Sequence, residues 1–283
     1  MKEIKLQSPA KINLSLSVLG KRDDGYHNIE SVMQTVDFGD TVTIAFTETP
    51  GITLKTNIKD LPTDETNIAY KAAALMQRTY GITCGISIHL EKRIPIAAGL
   101  AGGSGNAAAV LRGINELAKL GASQDELAKL GVTLGADVPF CVYGQPALAT
   151  GIGEKLKEVK GLSDCYVVLV NPGVGVSTAE IYRAIDGEEP MLQSNTPALL
   201  EALQKGDLTG AFPEMKNMME SVAIRFCPPI SALLESLRQV GADHAMMSGS
   251  GATCFGVFIN KPDVDGLQSV FGHQLIAVTK PIV

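Results

Sequence analysis

Residues 95–106 read Pro-Ile-Ala-Ala-Gly-Leu-Ala-Gly-Gly-Ser-Gly-Asn, and an alanine-rich stretch follows at once. No other segment limits the fold as strongly. Glycine loses more conformational freedom on folding than any other residue, so a loop this rich in it needs a reason to persist. The glycine-rich half is expected to lie outside regular structure. From Asn106 the pattern changes. Val110, Leu111, Ile114, Leu117 and Leu120 recur at helical spacing, and Gly121 stops the run. A bare backbone leading into a helix is a ready anion site. No Cβ blocks the approach, the first N–H groups lack intrahelical acceptors, and the helix dipole is positive at that end. No Gly-Lys-Ser/Thr follows, so this is not a Walker loop. The segment is read as a phosphate cradle.

The rest of the chain reads as mixed helix and strand. Ile12, Leu14, Leu16 and Val18 alternate with Lys11, Asn13, Ser15 and Ser17, the period of a half-buried strand with Lys11 and Asn13 on one face. Short strands are expected at Val32–Val36, Thr41–Ala45, Gly85–Leu90, Tyr166–Val170, Thr253–Ile259 and Gln274–Val278. Helices are expected over Thr66–Tyr80, from Ser123 (an S-x-x-E capping box) to about Leu134, from Thr178, from Thr196, from near Pro229 to Gly241, and over Asp263–Phe271. Glycines and charges cluster at Gly151–Gly161, which suggests a domain boundary.

At 283 residues the chain is long enough for one or two cores. The net charge is −6 and no Lys/Arg block stands out, which argues against a nucleic-acid partner. A charged ligand must be met by a few local groups. The five cysteines form no C-x-x-C pair and read as buried free thiols in a reducing compartment. The four histidines lie far apart, so a structural zinc site is not expected. Neither a signal-peptide stretch nor a run of about 18 apolar residues occurs, so a cytoplasmic location is expected.

Other candidates have bland alternatives. Met247-Ser-Gly-Ser-Gly-Ala-Thr253 could be an ordinary turn between strands. Gly173-Val-Gly175 after an apolar strand resembles a dinucleotide fingerprint, but Thr178 stands where the third glycine belongs, so it reads as a loop. Asp137, in Gly-Ala-Asp-Val-Pro at a chain reversal, reads first as a turn or capping residue. Lys11 reads as a solvated strand lysine, His27 as part of a loop, and Tyr182 as core. Met215, Met218 and Met219 read as packing.

Taken in order, Pro9-Ala-Lys-Ile-Asn-Leu14, the glycine-rich loop, Gly135-Ala-Asp-Val-Pro-Phe140 and Ser248-Gly-Ser-Gly-Ala-Thr253 resemble the three motifs and the acid-bearing turn of the GHMP kinases. Gly25-Tyr-His27, Gly151-Ile-Gly-Glu154 and Ser177-Thr-Ala-Glu-Ile-Tyr182 resemble the branch that acts on a cytidyl substrate. The resemblance runs from about Lys5 to Phe258. It implies an α+β, two-domain GHMP kinase fold with the active site in the inter-domain cleft. It also implies a division into an ATP-binding domain over 1–155 and a substrate-side domain over 156–283. The implied reaction is ATP-dependent phosphorylation of a hydroxyl on a cytidyl-bearing methylerythritol, in the non-mevalonate isoprenoid pathway.

The same resemblance implies residue roles. ATP would lie on Pro95, Ile96, Ala97, Ala98, Gly99, Leu100, Ala101, Gly102, Gly103, Ser104 and Gly105, with its adenine near Asn67 and Lys92. Asp137 would be the catalytic base and Lys11 its neighbour. Asn13 would touch the methylerythritol part. Tyr26 and Tyr182 would sandwich the cytosine, and His27 would bond its edge. Mg²⁺ would accompany ATP. The partners implied are these two small molecules, with no nucleic acid, no membrane, and a monomer or weak homodimer. Two residues depart from the family pattern G-L-G-G-G-S-S. Ala101 replaces the first glycine of the triplet, and Gly105 replaces the second serine, so Ser104 carries any hydroxyl contact. Rival readings are a homoserine or mevalonate kinase, which have no base to stack, and a nucleotide-binding regulator without catalysis.

Overall fold

The computed structural model describes residues 2–186 and 194–283. The chain forms two compact units that interleave in sequence. The first comprises Met1–Ala10, Gly39–Pro95 and Ala101–Gly144; the second comprises Lys11–Phe38, Ile96–Leu100 and Gln145–Val283. Two long strands, β1 (Glu3–Lys21) and β2 (His27–Thr47), each begin in one unit and end in the other. The expected strands at Val32–Val36 and Thr41–Ala45 are both parts of β2.

In the first unit, the end of β2 pairs antiparallel with β4 (Gly85–Glu91), and β3 (Ile52–Thr56) pairs parallel with β4. The register sets Val42 opposite Leu90, Ile44 opposite Ile88 and Phe46 opposite Ile86. That apolar face packs with helices α1 (Ile68–Tyr80), α2 (Gly102–Ala118), α3 (Gln124–Gly131) and α4 (Val138–Tyr143) into one core. Ala69, Ala72 and Ala73 of α1 and Ala107, Ala108 and Ala109 of α2 are all fully buried, and their small side chains let helix backbones pack closely. Ser123 and Glu126 make the expected capping box.

In the second unit, His27 opens β2, so it is not in a loop. The start of β2 pairs antiparallel with β5 (Ala147–Gly151), which turns back into β6 (Lys155–Glu158). The glycine-rich stretch around 151–161 therefore forms much of a hairpin. A second, antiparallel sheet has the order β10 (Leu275–Thr279), β7 (Tyr166–Val170), β9 (Cys254–Phe258), β8 (His244–Met247). Among the described residues, six α-helices complete the unit: α5 (Thr178–Ile185), α6 (Thr196–Lys205), α7 (Leu208–Ala211), α8 (Glu220–Phe226), α9 (Pro229–Gln239) and α10 (Val264–Phe271). Met215, Met218 and Met219 are buried, as packing residues should be.

Three further expectations need correction. The glycine-rich half of the loop is not all irregular, because Gly102, Gly103, Ser104 and Gly105 form the first turn of α2. Tertiary packing overrides glycine's poor helix propensity here. A Cβ on Gly102 would lie 3.0 Å from Ile94 Cγ2, and one on Gly105 would lie 2.7 Å from Ser8 Oγ. The second correction concerns β1. Its polar residues are as buried as its apolar ones: Lys11, Asn13, Ser15 and Ser17 all lie inside. Lys11 is thus no solvated lysine. The cysteines also differ in part: Cys165, Cys227 and Cys254 are buried, but Cys84 and Cys141 are only partly so, and none forms a disulfide. Burial pushes the Cys165 thiol up to about 11, which leaves it a poor nucleophile at neutral pH.

Candidate active site

The middle of the glycine loop is anchored by buried side chains and by hydrogen bonds to its backbone. Ala98 and Leu100 are buried, so any contact they make with a ligand runs through backbone. Within the second unit, Ser248 Oγ donates to Gly99 O at 3.0 Å, and Lys11 N donates to Leu100 O at 3.2 Å. A Cβ on Gly99 would sit 2.2 Å from Ser248 O. The second glycine segment, an ordinary turn by its sequence alone, is thus packed against residues 96–100. Ala97 and Ala101 hold φ of 52° and 56°, left-handed values that suit glycine better. For alanine such a conformation costs roughly 1–2 kcal/mol, so Ala101 is not a neutral replacement.

Within the first unit, Gly103 at the start of α2 is exposed, and a Cβ there would meet only Ile68 Cγ2 at 3.5 Å. Packing alone does not demand glycine at 103. A ligand phosphate close to the backbone would. Ser104 is partly buried beside it.

Beneath this turn lies a saturated polar cluster. Lys92 Nζ donates to Asp40 Oδ2 and, at 3.0 Å, to Asn106 Oδ1. Asn106 Nδ2 donates to Asp40 Oδ2 at 2.9 Å and to Ser8 Oγ at 3.0 Å. Asp40 Oδ1 also accepts from the backbone N–H groups of Arg93 and Ile94, at 2.7 and 2.8 Å. Lys92 is therefore held by its own unit, and its ammonium is not presented to solvent. Asn67 is similarly committed: it caps α1 by accepting from Ala69 N at 2.9 Å and donates to Pro62 O at 2.7 Å.

Asp137 occupies the N-cap position of α4, yet its side chain makes no capping hydrogen bond. The helix does not use the carboxylate in the way a capping aspartate would be used. Lys11 Nζ donates to Asn13 Oδ1 at 2.6 Å, and Asn13 Nδ2 donates to Ser31 Oγ at 2.8 Å. Ser31 Oγ in turn donates to Ser15 O at 2.5 Å. This buried relay fixes where the Lys11 ammonium sits.

His27 and Tyr182 stack in the second unit, with ring centroids 4.6 Å apart and planes 17° from parallel. His27 is buried, whereas Tyr26 is 59% exposed. Asp186 completes the group. His27 Nε2 lies 2.5 Å from Asp186 Oδ1, and Lys21 Nζ donates to Asp186 Oδ2 at 2.6 Å. Tyr182 and Asp186 are four residues apart at the end of α5, so one helical face presents both to His27. The hydrogen bond from His27, and then that from Lys21, hold the Asp186 carboxyl below its ordinary range.

Ser8, Asp40 and Asp186 were not singled out in the sequence. Asp40 gave no distinct sign, since it stands with Asp37 and Gly39 between two expected strands and reads as a loop acid. The i, i+4 spacing from Tyr182 was the sign for Asp186. Among the described residues, no trio of His, Cys, Asp or Glu is placed to hold a metal ion, and no helix is long and apolar enough to cross a membrane.

Comparison with known proteins identifies the family. The family models described as GHMP kinases N terminal domain and GHMP kinases C terminal match residues 67–145 and 199–276. The 4-diphosphocytidyl-2-C-methyl-D-erythritol kinase of Alkaliphilus metalliredigens is 46% identical over 92% of this chain and 89% of its own. The crystal structure of a 4-(cytidine 5'-diphospho)-2C-methyl-D-erythritol kinase superposes with a TM-score of 0.75 at 35% identity, covering 90% of each chain. A homoserine kinase from Cytophaga hutchinsonii superposes almost as well, at 0.74 over 95% of this chain and 88% of its own, but is only 20% identical. The fold alone therefore does not choose between substrates. Sequence identity does: the chain belongs to the GHMP kinases and, within them, to the family of 4-diphosphocytidyl-2-C-methyl-D-erythritol kinases.

Proposed function

We propose that the chain transfers the γ-phosphate of ATP to the 2-hydroxyl of 4-diphosphocytidyl-2-C-methyl-D-erythritol, with Asp137 as base and Lys11 as a cation that offsets charge on the transferring group. The observation that carries the reaction is the 46% identity to a 4-diphosphocytidyl-2-C-methyl-D-erythritol kinase over 92% of the chain. The roles follow the motifs Pro9-Ala-Lys-Ile-Asn-Leu14 and Gly135-Ala-Asp-Val-Pro-Phe140 that hold Lys11 and Asp137. Phosphoryl transfer needs positioning and charge neutralisation more than covalent help from the protein. The substrate oxygen attacks the γ-phosphorus, the bond to the β,γ-bridging oxygen breaks, and ADP leaves with that electron pair. The hydroxyl proton passes to Asp137, because a neutral alcohol is a weak nucleophile.

Backbone N–H groups of the Gly99–Gly105 stretch carry the phosphates, which is why exposed Gly103 is bare. The Lys11 ammonium, aimed by Asn13, offsets charge on the transferring group. Asn13 meets the methylerythritol portion, and Tyr26, His27 and Tyr182 meet the cytosine. The Asn67 and Lys92 side chains already hold local hydrogen bonds, so contact with adenine falls to their remaining donors or to their backbone. Mg²⁺ usually keeps several waters and takes phosphate oxygens, so it needs few protein ligands. That suits a site with no metal-ligating trio among the described residues. Ser104 supplies the side-chain oxygen nearest the phosphates, and bound Mg²⁺ would add charge neutralisation.

Asp137→Asn tests the base. Turnover is expected to fall roughly 10²–10⁴-fold with ATP affinity little changed. Turnover within about threefold of wild type would remove Asp137 from that role. Run over a panel of alcohols, the same phosphoryl-transfer assay should show the cytidyl substrate far ahead of homoserine and mevalonate.

A further inference from the structure

We propose that Ser8 and Gly105 are a matched pair that sets the first turn of α2, and that Ser8 is a positioning residue for ATP. This rests on the reading that the turn carries the phosphates. The family pattern has a serine where this chain has Gly105. In the structure the space for a side chain at 105 is taken: a Cβ there would lie 2.7 Å from Ser8 Oγ and 3.5 Å from Pro9 O. Ser8 is fully buried and its hydroxyl is bonded, so it is not the loose end of a flexible chain.

The hydroxyl does more than fill space. Ser8 Oγ accepts one of the two amide protons of Asn106, and Asp40 accepts the other. Lys92, which can only donate, faces the Asn106 carbonyl oxygen. The orientation of that amide is thereby decided by chemistry: its nitrogen faces two acceptors and its oxygen an ammonium. Asn106 directly follows Gly105, so its side chain acts as a peg that fixes the rotation and depth of the turn. Lys92 Nζ also comes within 3.1 Å of where a Cβ on Gly102 would be. Ser8, Asp40, Lys92 and Asn106 thus hold from below the backbone whose upper side meets phosphate. Precise placement matters there, because backbone donors act on phosphate only from fixed positions.

A double-mutant cycle with Ser8→Ala and Gly105→Ser tests the pairing. Gly105→Ser alone should raise the KM for ATP by about tenfold or more and lower Tm, with the KM of the cytidyl substrate changed less than about twofold. Ser8→Ala alone should raise the ATP KM only about two- to fivefold. The double variant, with room for the new Cβ, should bind ATP better than Gly105→Ser by about fivefold or more. If Gly105→Ser does not fold but the double variant folds and binds ATP, the pairing stands. A double variant as impaired as Gly105→Ser, or additive with the singles, would overturn it. So would an unimpaired Gly105→Ser. Gly103→Val, measured alongside, separates the two readings. Unchanged ATP affinity in that variant, with coupling between 8 and 105 still visible in Tm, would place the phosphates elsewhere and end the role in ATP positioning.

Discussion

On the proposed function, the first turn of α2 and the cluster around His27 recognise their ligands in opposite ways. At Gly102–Gly105 the working surface is backbone, and side chains from elsewhere support it from beneath. At His27 and Tyr182 the proposed surface is two rings, and the Asp186 side chain holds one of them. A surface of backbone is damaged by adding atoms. A surface of rings is damaged by removing them. The same contrast suits the ligands: phosphates need donors at close range, and a planar base needs area.

The largest effect expected from this contrast is at Gly103. Its added side chain would meet only Ile68 at ordinary contact distance, so the fold should tolerate a substitution. Gly103→Val should nevertheless weaken ATP binding by about 3 kcal/mol, roughly 150-fold, because a branched side chain would overlap the phosphates. Calorimetry with ATP and with the cytidyl substrate checks this. Only the first titration should change. A folded Gly103→Val with normal ATP affinity would break the comparison on its backbone side.

On the ring side the corresponding change is a removal. Tyr182→Ala loses an aromatic face and its buried area, and should weaken the cytidyl substrate by about 1–3 kcal/mol, near 5–150-fold. A truncated substrate without cytidine should bind wild type and variant alike. Equal losses with and without the base would make Tyr182 a packing residue. The stack with His27 gives that alternative weight, since one face of Tyr182 is already covered by a ring of the protein.

Local signals were legible in the sequence where they depend on neighbours in the chain. The capping box at Ser123, the apolar strand Tyr166–Val170 and the helix from Thr178 need only short-range rules, and all three formed. The GHMP kinase fold was legible too, because it was carried by several motifs in order. What the sequence could not show was which polar residues would be bonded to one another. Alternation in β1 suggested one wet face, but that face is buried because Lys11, Asn13, Ser15 and Ser31 satisfy each other. Asn67 and Lys92 were expected near adenine, and nothing in the sequence signals that their side chains close local hydrogen bonds. The helical state of Gly102–Gly105 depends on Ser8 and Ile94, which lie outside the loop. Interleaved units arise for the same kind of reason. Strands as long as β1 and β2 can serve two cores, and no composition signal marks where they pass between them.

The smallest effect expected is at Asp186, and it sharpens the ring side of the contrast. His27 needs to be held as well as stacked if it is to bond the edge of a base. Asp186 is ionised at neutral pH, since its bonds to His27 and Lys21 favour the charged form. An ionised carboxylate can only accept, so His27 Nε2 carries the proton directed at Asp186 Oδ1. In the neutral ring Nδ1 is then the acceptor, the form that suits an exocyclic amine on the base. Asp186 is open to solvent and its ion pair with Lys21 should add little stability. Asp186→Ala should therefore leave Tm, kcat and the KM for ATP nearly unchanged, while the KM for the cytidyl substrate rises about two- to tenfold. Asp186→Asn should recover most of that loss, because an amide oxygen can accept the same proton. If Asn fails as badly as Ala, the charge matters more than the orientation. If neither variant moves the KM for the cytidyl substrate, the stack on Tyr182 alone holds His27, and a ring surface needs less support than the backbone surface at α2.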